Sequence, residues 1–515
     1  MKTNSKNSKK STNTKKKNSK RKNKRTKIKK PLRIVIVIAV VSIIVLLTAL
    51  IIYNVKKSAD NAKIQSNINS ISDINVLLKN GDNSTWDIVS VSCDSGMRWS
   101  ENGQEHSANP GELITFSSNR PTGTVIELAP TEVDGRFTVK NGSTKKGDNY
   151  PGLIHLHYTS NGLQVTNLVP LEEYISGVIC SEMPSSYGLE ALKAQAVCAR
   201  SYVLSKGGAL GYEEAGAHVD DSTSYQVYGK TWASGDALDA VIETAGEVVI
   251  APDGTVADTM FYSTSNGYSQ TQKADKFPYL ARKYISLSNT DPLKEAKVLT
   301  DDKVIDTSKS IEDAFAIYIK NQDENALENG MQYFRWECDL DMNAGLDKVK
   351  EAIVSNYTSV NTTKNDEGNV KLELDDNMRK HVLDASHNTL NKNGFGAFKG
   401  MEVKKRSTGG VITSLSVEFE NGCVIINDEL LIRKILGKAT DSVTLTGNSK
   451  KDTTSLPSAA FSFTPVEKGY HVYGGGFGHG CGMSQSGAKA LAAEGKNYKE
   501  ILKFFYKDCD VLREE

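Results

Sequence analysis

Long stretches of this 515-residue chain are set apart by what they leave out. Residues 1–33 contain no Asp or Glu, against 16 Lys and Arg, and residues 34–53 carry no charge of either sign. No Cys-x-x-Cys and no His-Glu-x-x-His occurs, so the usual sequence signatures of a redox or zinc centre are missing. The glycine run at 474–482 is not closed by Gly-Lys-Ser/Thr, which excludes a phosphate loop. Nor does it match Gly-x-Gly-x-x-Gly, because His479 stands where the last glycine is needed. No internal repeat of 20–50 residues is present, which argues against a solenoid or propeller.

What is there is enough to build sizeable cores: 38% of residues are hydrophobic and 24% charged, which excludes a wholly disordered chain. The length allows about three structural units. The near-neutral total, 63 Lys and Arg against 62 Asp and Glu, hides a segregation. With the 16 cations of residues 1–33 set aside, the rest stands at −15. An acidic body argues against nucleic acid as a partner, since phosphate binding needs basic surface.

The uncharged run Ile34 to Tyr53 is 20 residues long. As a helix it spans about 30 Å, the hydrocarbon thickness of a bilayer. It is too long for a signal-peptide core, and Asn54-Val55-Lys56-Lys57 follows it without a small-residue cleavage site. The expectation is an uncleaved single-pass anchor, with the basic tail held in the cytoplasm and the body outside. The seven cysteines are an odd number, so at least one thiol has no partner within the chain. They read as small buried hydrophobes. Cys481, two residues from His479, is the only one with a histidine neighbour suited to a nucleophile.

Residues 54–84 are polar and read as a stalk. From Trp86 short β-type runs follow, among them 87–91, 112–116 and 124–128, separated by Gly, Asn and Pro. Leu153–Tyr158 and Leu163–Val165 flank Ser160-Asn161-Gly162, a hairpin signal. His155 and His157 share one face of the first strand, as a metal-binding pair or simply as a solvated face. Glu190 to Lys206 is helix-like and ends at Gly207-Gly208. On its wheel Lys193 and Arg200 flank the stripe Leu192, Ala196, Ala199 and Val203, as a groove edge or as a snorkelling rim. Residues 286–400 are charged and helix-capable and read as an insertion packed on the outside. The implied fold class is α+β, a β-rich catalytic region with a few packed helices, in parts 85–285 and 401–515 around that insertion.

Two features carry chemistry. Glu182 lies in Ser181-Glu182-Met183-Pro184 beside Ile179 and Met183. An apolar setting raises a carboxyl pKa and suits a proton donor, whereas a following helix N-terminus lowers it. The glycine run is either a tight turn presenting His479, Ser484 and Gln485 to a sugar or carbonyl, or a structural loop around a satisfied histidine.

Glu-Met-Pro at 182–184, EALKAQAVCAR at 190–200, Asp221-Ser222-Thr223 with Gln226, Ser-Asn-Gly at 265–267, Ile432-Arg433 with Leu436-Gly437, and GHGCGMSQSGA at 478–488 occur in that order. Together they closely resemble the stage II sporulation protein D / LytB (SpoIID/LytB) family, over about residues 150–285 and 400–512. The resemblance implies peptidoglycan as partner. SpoIID-like members are lytic transglycosylases on glycan strands, working beside a stem-removing amidase, with the Glu of Glu-Met-Pro as catalytic acid. That position is Glu182. LytB-like members enhance a cell-wall amidase instead. On this reading Lys193, Gln195, Arg200, Asp221, Ser222, Gln226, His479, Ser484 and Gln485 are the candidates for positioning substrate, and no cofactor is implied. Some members bind zinc through Cys and His near the Asp-Ser-Thr segment. Here His218 is present, but Thr223, Ser224 and Tyr225 supply no thiol, so no metal is expected.

Overall fold

The computed structural model describes residues 72–513 except 142–143, 272–275, 297–310, 361–363, 366–367 and 385–388. These belong to a compact unit, Ala62–Glu515; the unit Met1–Asn61, with the basic tail and the apolar run, lies outside the described residues. No described helix is long and apolar enough to cross a membrane. The architecture is mixed α/β with many strands and few helices.

The first core is built on a seven-stranded sheet. Its middle holds β1 (Asp73–Leu77), β2 (Leu153–Thr159) and β3 (Gly162–Pro170), in the order β1–β3–β2. The β2–β3 pair is the expected hairpin, with Gly162 opposite Thr159 and at φ +121°, where a glycine is needed. Ile154, Leu156 and Tyr158 point inward, while His155 and His157 lie on the other face against Glu127 and Thr166. β1 corrects the stalk reading. Its register with β3 runs from Asp73 opposite Pro170 to Leu77 opposite Thr166, and Ile74, Val76, Leu77 and Leu78 are buried. Five residues suffice for a strand, and this one hides at the end of a Ser/Asn/Lys-rich segment.

Two helices pack beneath the sheet: α1 (Leu171–Glu182), directly after β3, and α2 (Leu189–Leu204), the expected motif helix. α2 buries nearly its whole circumference, which its many alanines permit. It is flanked by α3 (Asp236–Glu243), α5 (Gln485–Ala493) and α6 (Tyr498–Phe505).

The second core draws on residues 268–472 and corrects the picture of an outer helical insertion. α4 (Ile311–Lys320) belongs to it, but so does β4 (Trp336–Asp341). β4 lies centrally in a five-stranded sheet, between Ser442–Leu445 and β5 (Gly469–Gly474). A Cβ on Gly474 would come within 2.2 Å of the Trp336 indole, so only glycine leaves room for that ring on the neighbouring strand. Residues 286–400 and 401–474 therefore share one interior, and the texture change near 400 marks no boundary of packing.

Candidate active site

Glu182 is the last residue of α1. The helix stops there because Pro184 disfavours a helical Met183, which is extended and turns its N–H back to the Ile179 carbonyl. Glu182 therefore sits at the C-terminal, negative end of a helix dipole, a position that disfavours a carboxylate. Burial is the main cause that raises its pKa above the ordinary carboxylate value. The Val227 N–H and the charge of Lys230 pull the other way. The Val227 N–H donates to Glu182 Oε1 at 2.5 Å.

The segment supplying that donor is tied to α1 along its length. The N–H groups of Lys230 and Thr231 both donate to Ser181 Oγ at 3.2 Å, and Gly229 N–H donates to the Gly177 carbonyl at 3.1 Å. Gly177 cannot be larger: a Cβ there would come within 2.6 Å of Tyr228 and 2.8 Å of Trp232. Gln226, fully buried, donates to the Tyr174 hydroxyl at 3.1 Å and to the Ala199 carbonyl at 3.4 Å. It thereby wedges the segment between α1 and α2. Gln226 aims the Val227 amide at Glu182 and has no exposed surface for a substrate.

A half-buried aromatic, Tyr202 of α2, faces the same region. Burial raises its phenol pKa, reinforced by Asp258, Tyr225, Asp220 and Glu182. Lys206 Nζ lies 4.3 Å from the Tyr202 ring centre and 2.8 Å from Asp258 Oδ2. Neither Tyr202 nor Tyr225 is among the substrate-positioning candidates that the sequence offers. The available signal was the tyrosine closing the motif helix, since tyrosine offers both an apolar face and a hydroxyl.

Several positioning candidates have other work. Arg200 is wholly buried, its guanidinium forked onto Glu172 at 2.8 and 2.6 Å and onto the Glu247 carbonyl at 2.9 Å. Lys193 pairs with Glu190 at 3.0 Å and Glu243 at 2.6 Å. These two thus form no open groove edge, because α1 and α3 supply carboxylates that one helical wheel does not display. Gln195 is buried against Gln485, 3.4 Å away. Asp221 accepts from the Lys79 N–H at 3.1 Å, just beyond β1, and Ser222 bonds Asp220 at 2.8 Å. Ser484 is buried and caps α5 by accepting from Gly487 N–H at 3.2 Å.

His479 is the satisfied histidine of the two readings of the glycine loop. Its Nε2 donates to the Phe261 carbonyl at 2.9 Å, and its Nδ1 accepts from the Cys481 N–H at 3.0 Å, which fixes a neutral tautomer. Burial pushes its pKa down to about 4. With both nitrogens engaged it offers no base to the Cys481 thiol. His218 Nδ1 accepts from the Asn75 N–H at 2.9 Å. Among the described residues no three His, Cys, Asp or Glu are grouped as metal ligands.

One carboxyl carried no sequence signal. Glu328 is fully buried and accepts from Ser265 N–H at 2.7 Å and Ser265 Oγ at 2.8 Å, with Ser484 beside it. Burial raises its pKa to about 7. A residue of the 286–400 segment thus joins the Ser-Asn-Gly turn to the start of α5.

Residues 159–250 match the family model described as Stage II sporulation protein, and residues 369–482 match one described as a domain of unknown function. The chain is 34% identical to Stage II sporulation protein D of Bacillus subtilis over 185 residues, 33% of this chain and 52% of that protein. It is 30% identical to the Amidase enhancer of the same organism over 343 residues, 64% of this chain and 39% of that protein. An uncharacterized protein of Brachyspira hyodysenteriae is 24% identical over 411 residues, 79% of this chain and 84% of that protein. The chain thus spans about half or less of the two Bacillus subtilis relatives.

Proposed function

Because this chain belongs to the SpoIID/LytB family, we propose that it cleaves peptidoglycan glycan strands by a lytic transglycosylase reaction outside the cell membrane, with Glu182 as acid and base. The observation that carries the reading is the Glu182 carboxyl: desolvated, at a helix C-terminus, held by one backbone N–H and raised in pKa. Such a group holds its proton more tightly than an ordinary carboxyl, as a general acid requires.

Hydrolysis of a glycoside ordinarily uses two carboxyls. Asp221, the second carboxyl that the motif stretches suggest, accepts from the Lys79 backbone. A lytic reaction needs only one. Glu182 donates its proton to the glycosidic oxygen as the C1–O4 bond breaks. The C6 hydroxyl of the same sugar closes on C1, and its proton returns to Glu182. No water is consumed, and the intramolecular nucleophile lowers the barrier by several kcal/mol. Tyr202 and Tyr225 supply ring faces and hydroxyls suited to a sugar chain.

The 30% identity to an amidase enhancer, over 64% of this chain, favours a second reading: a non-enzymatic wall-binding partner of an N-acetylmuramoyl-L-alanine amidase. Mass spectrometry of denuded glycan strands incubated with the protein separates the two. The lytic reading expects 1,6-anhydro-muramic ends, lost in Glu182→Gln and less affected by Asp221→Asn. Reducing ends formed by water refute the mechanism. Full activity in Glu182→Gln refutes the site. No product from any glycan, with an added amidase stimulated, establishes the enhancer.

A further inference from the structure

The segment that presents the Val227 N–H to Glu182 has a second anchor, away from α1. Val219–Asp220 runs parallel to β1, with Val76 opposite Val219 and Leu77 opposite Asp220. The chain then turns back on itself. Tyr225 N–H donates to the Ser222 carbonyl at 3.1 Å, and Tyr228 N–H to the Asp221 carbonyl at 3.5 Å. Residues 221–228 thus close into a loop, and Val227 lies within it.

Asp220 stands at the foot of this loop and is fully buried. Its Oδ1 accepts from the Ser222 N–H at 2.9 Å and from Ser222 Oγ at 2.8 Å, and its Oδ2 accepts from the Tyr212 hydroxyl at 2.6 Å. Lys79 Nζ stays 3.9 Å away. A carboxylate without water and without a close cation depends on such hydrogen bonds, so Asp220 dictates where Ser222 and Tyr212 sit. Tyr212 is fixed in turn. Its N–H donates to the Ala217 carbonyl at 3.0 Å, and Asn75 of β1 donates through Nδ2 to the Ala215 and Gly216 carbonyls at 3.4 and 3.0 Å. Tyr225 closes the loop onto the same hairpin, where a Cβ on Gly211 would come within 2.3 Å of its hydroxyl.

The zinc that the family resemblance associates with this segment does not fit these donors. No thiol is present at 223–225, His218 Nδ1 already accepts from the Asn75 N–H at 2.9 Å, and both Asp220 oxygens are engaged. We propose that Asp220, Tyr212 and Ser222 form a metal-free brace that positions the Val227 N–H against Glu182. They are positioning residues, acting on Glu182 through the loop and not on the substrate. The proposal rests on Glu182 being the working carboxyl. A donor held in place stabilises the carboxylate that remains once the proton has left, so loosening the brace raises the Glu182 pKa.

The test is a direct titration of the Glu182 carboxyl, read without turnover. Full-length, detergent-solubilised protein carrying glutamate labelled at the side-chain carboxyl is titrated by infrared difference spectroscopy, and Glu182→Gln identifies the band. Tyr212→Phe and Ser222→Ala each remove a hydroxyl from the brace without changing its charge. Each is expected to raise the Glu182 midpoint by about half a pH unit, and the two together by about one, while Ser222→Thr leaves it in place. Metal analysis is expected to find no stoichiometric zinc, and EDTA to leave the midpoint unmoved. A fall in melting temperature with an unmoved midpoint overturns the positioning role and leaves a purely structural one. Stoichiometric zinc, with a midpoint that moves on chelation, overturns the metal-free assignment. Absence of glycan products would sink the lytic reading and leave the titration readable, whereas an unmoved midpoint in a protein that cleaves glycan would sink the brace alone.

Discussion

At the scale of single residues, three titratable groups with shifted pKa values divide the work. Glu182 is raised at the mouth of a hydrogen-bonded segment, His479 is held neutral, and Glu328 is raised in the interior. For Glu182 the expectation is a loss of about 10²–10⁴ in turnover on change to Gln, with the fold intact. The wild-type rate should fall on the alkaline side as the acid deprotonates. Activity that rises steadily with pH would exclude it as proton donor. For Glu328 the sign follows from its upward shift. The folded state holds the proton more tightly than the unfolded chain, so the contribution is complete below pH 4.5 and is lost as pH rises through about 7. The window corresponds to about 3 kcal/mol. Urea unfolding of wild type and Glu328→Gln at pH 5 and pH 8 should show the wild type losing most of that difference against the variant. Parallel stabilities would show that Glu328 does not titrate in the fold.

At the scale of elements, the candidate site is a helix end and a segment pinned to it. α1 provides Glu182 and Ser181 on successive residues: one accepts from Val227, the other from Lys230 and Thr231. Ser181→Ala removes two backbone bonds and is expected to cost about 1–2 kcal/mol in stability. By loosening the Val227 donor it should also raise the Glu182 pKa further, moving the alkaline limb of the pH–rate profile upward. A destabilised variant with an unmoved limb would show that the segment braces the helix without tuning the acid. The helix α2 and the β2–β3 hairpin were legible from composition and turn residues. α1 was not, because its short apolar stripe merges with the preceding strand and its stop at Met183-Pro184 reads equally well as the start of the next helix.

At the scale of the whole molecule, β1 makes the segment before Trp86 part of the fold. A chain trimmed to residues 72–515 should fold, whereas one beginning at residue 85 should lose the sheet position between β3 and Val219–Asp220 and aggregate. Size-exclusion chromatography with circular dichroism reads the difference, and a folded, monomeric product starting at 85 would refute the role given to β1. The same scale explains the second core. β4 is inserted between strands more than 100 residues later in the chain, and no local pattern announces such a partner.

By itself the sequence determined the order of the motifs, the identity of Glu182 as the distinctive carboxyl, the hairpin, the motif helix and the β-rich class. These rest on local periodicity, turn chemistry and residue order, which need no distant partner. The tertiary structure alone decided what the charged and polar motif residues do. Arg200 and Lys193 look alike on a wheel, but Glu172 and Glu243 arrive from other helices to bind them. His479 resembles a catalytic residue until the Phe261 carbonyl and the Cys481 amide occupy both its nitrogens. Glu182 itself was open between a raised and a lowered pKa until it was placed at the end of a helix rather than before one. Burial and hydrogen bonding depend on neighbours brought together from across the chain, and those neighbours set the chemistry of each group.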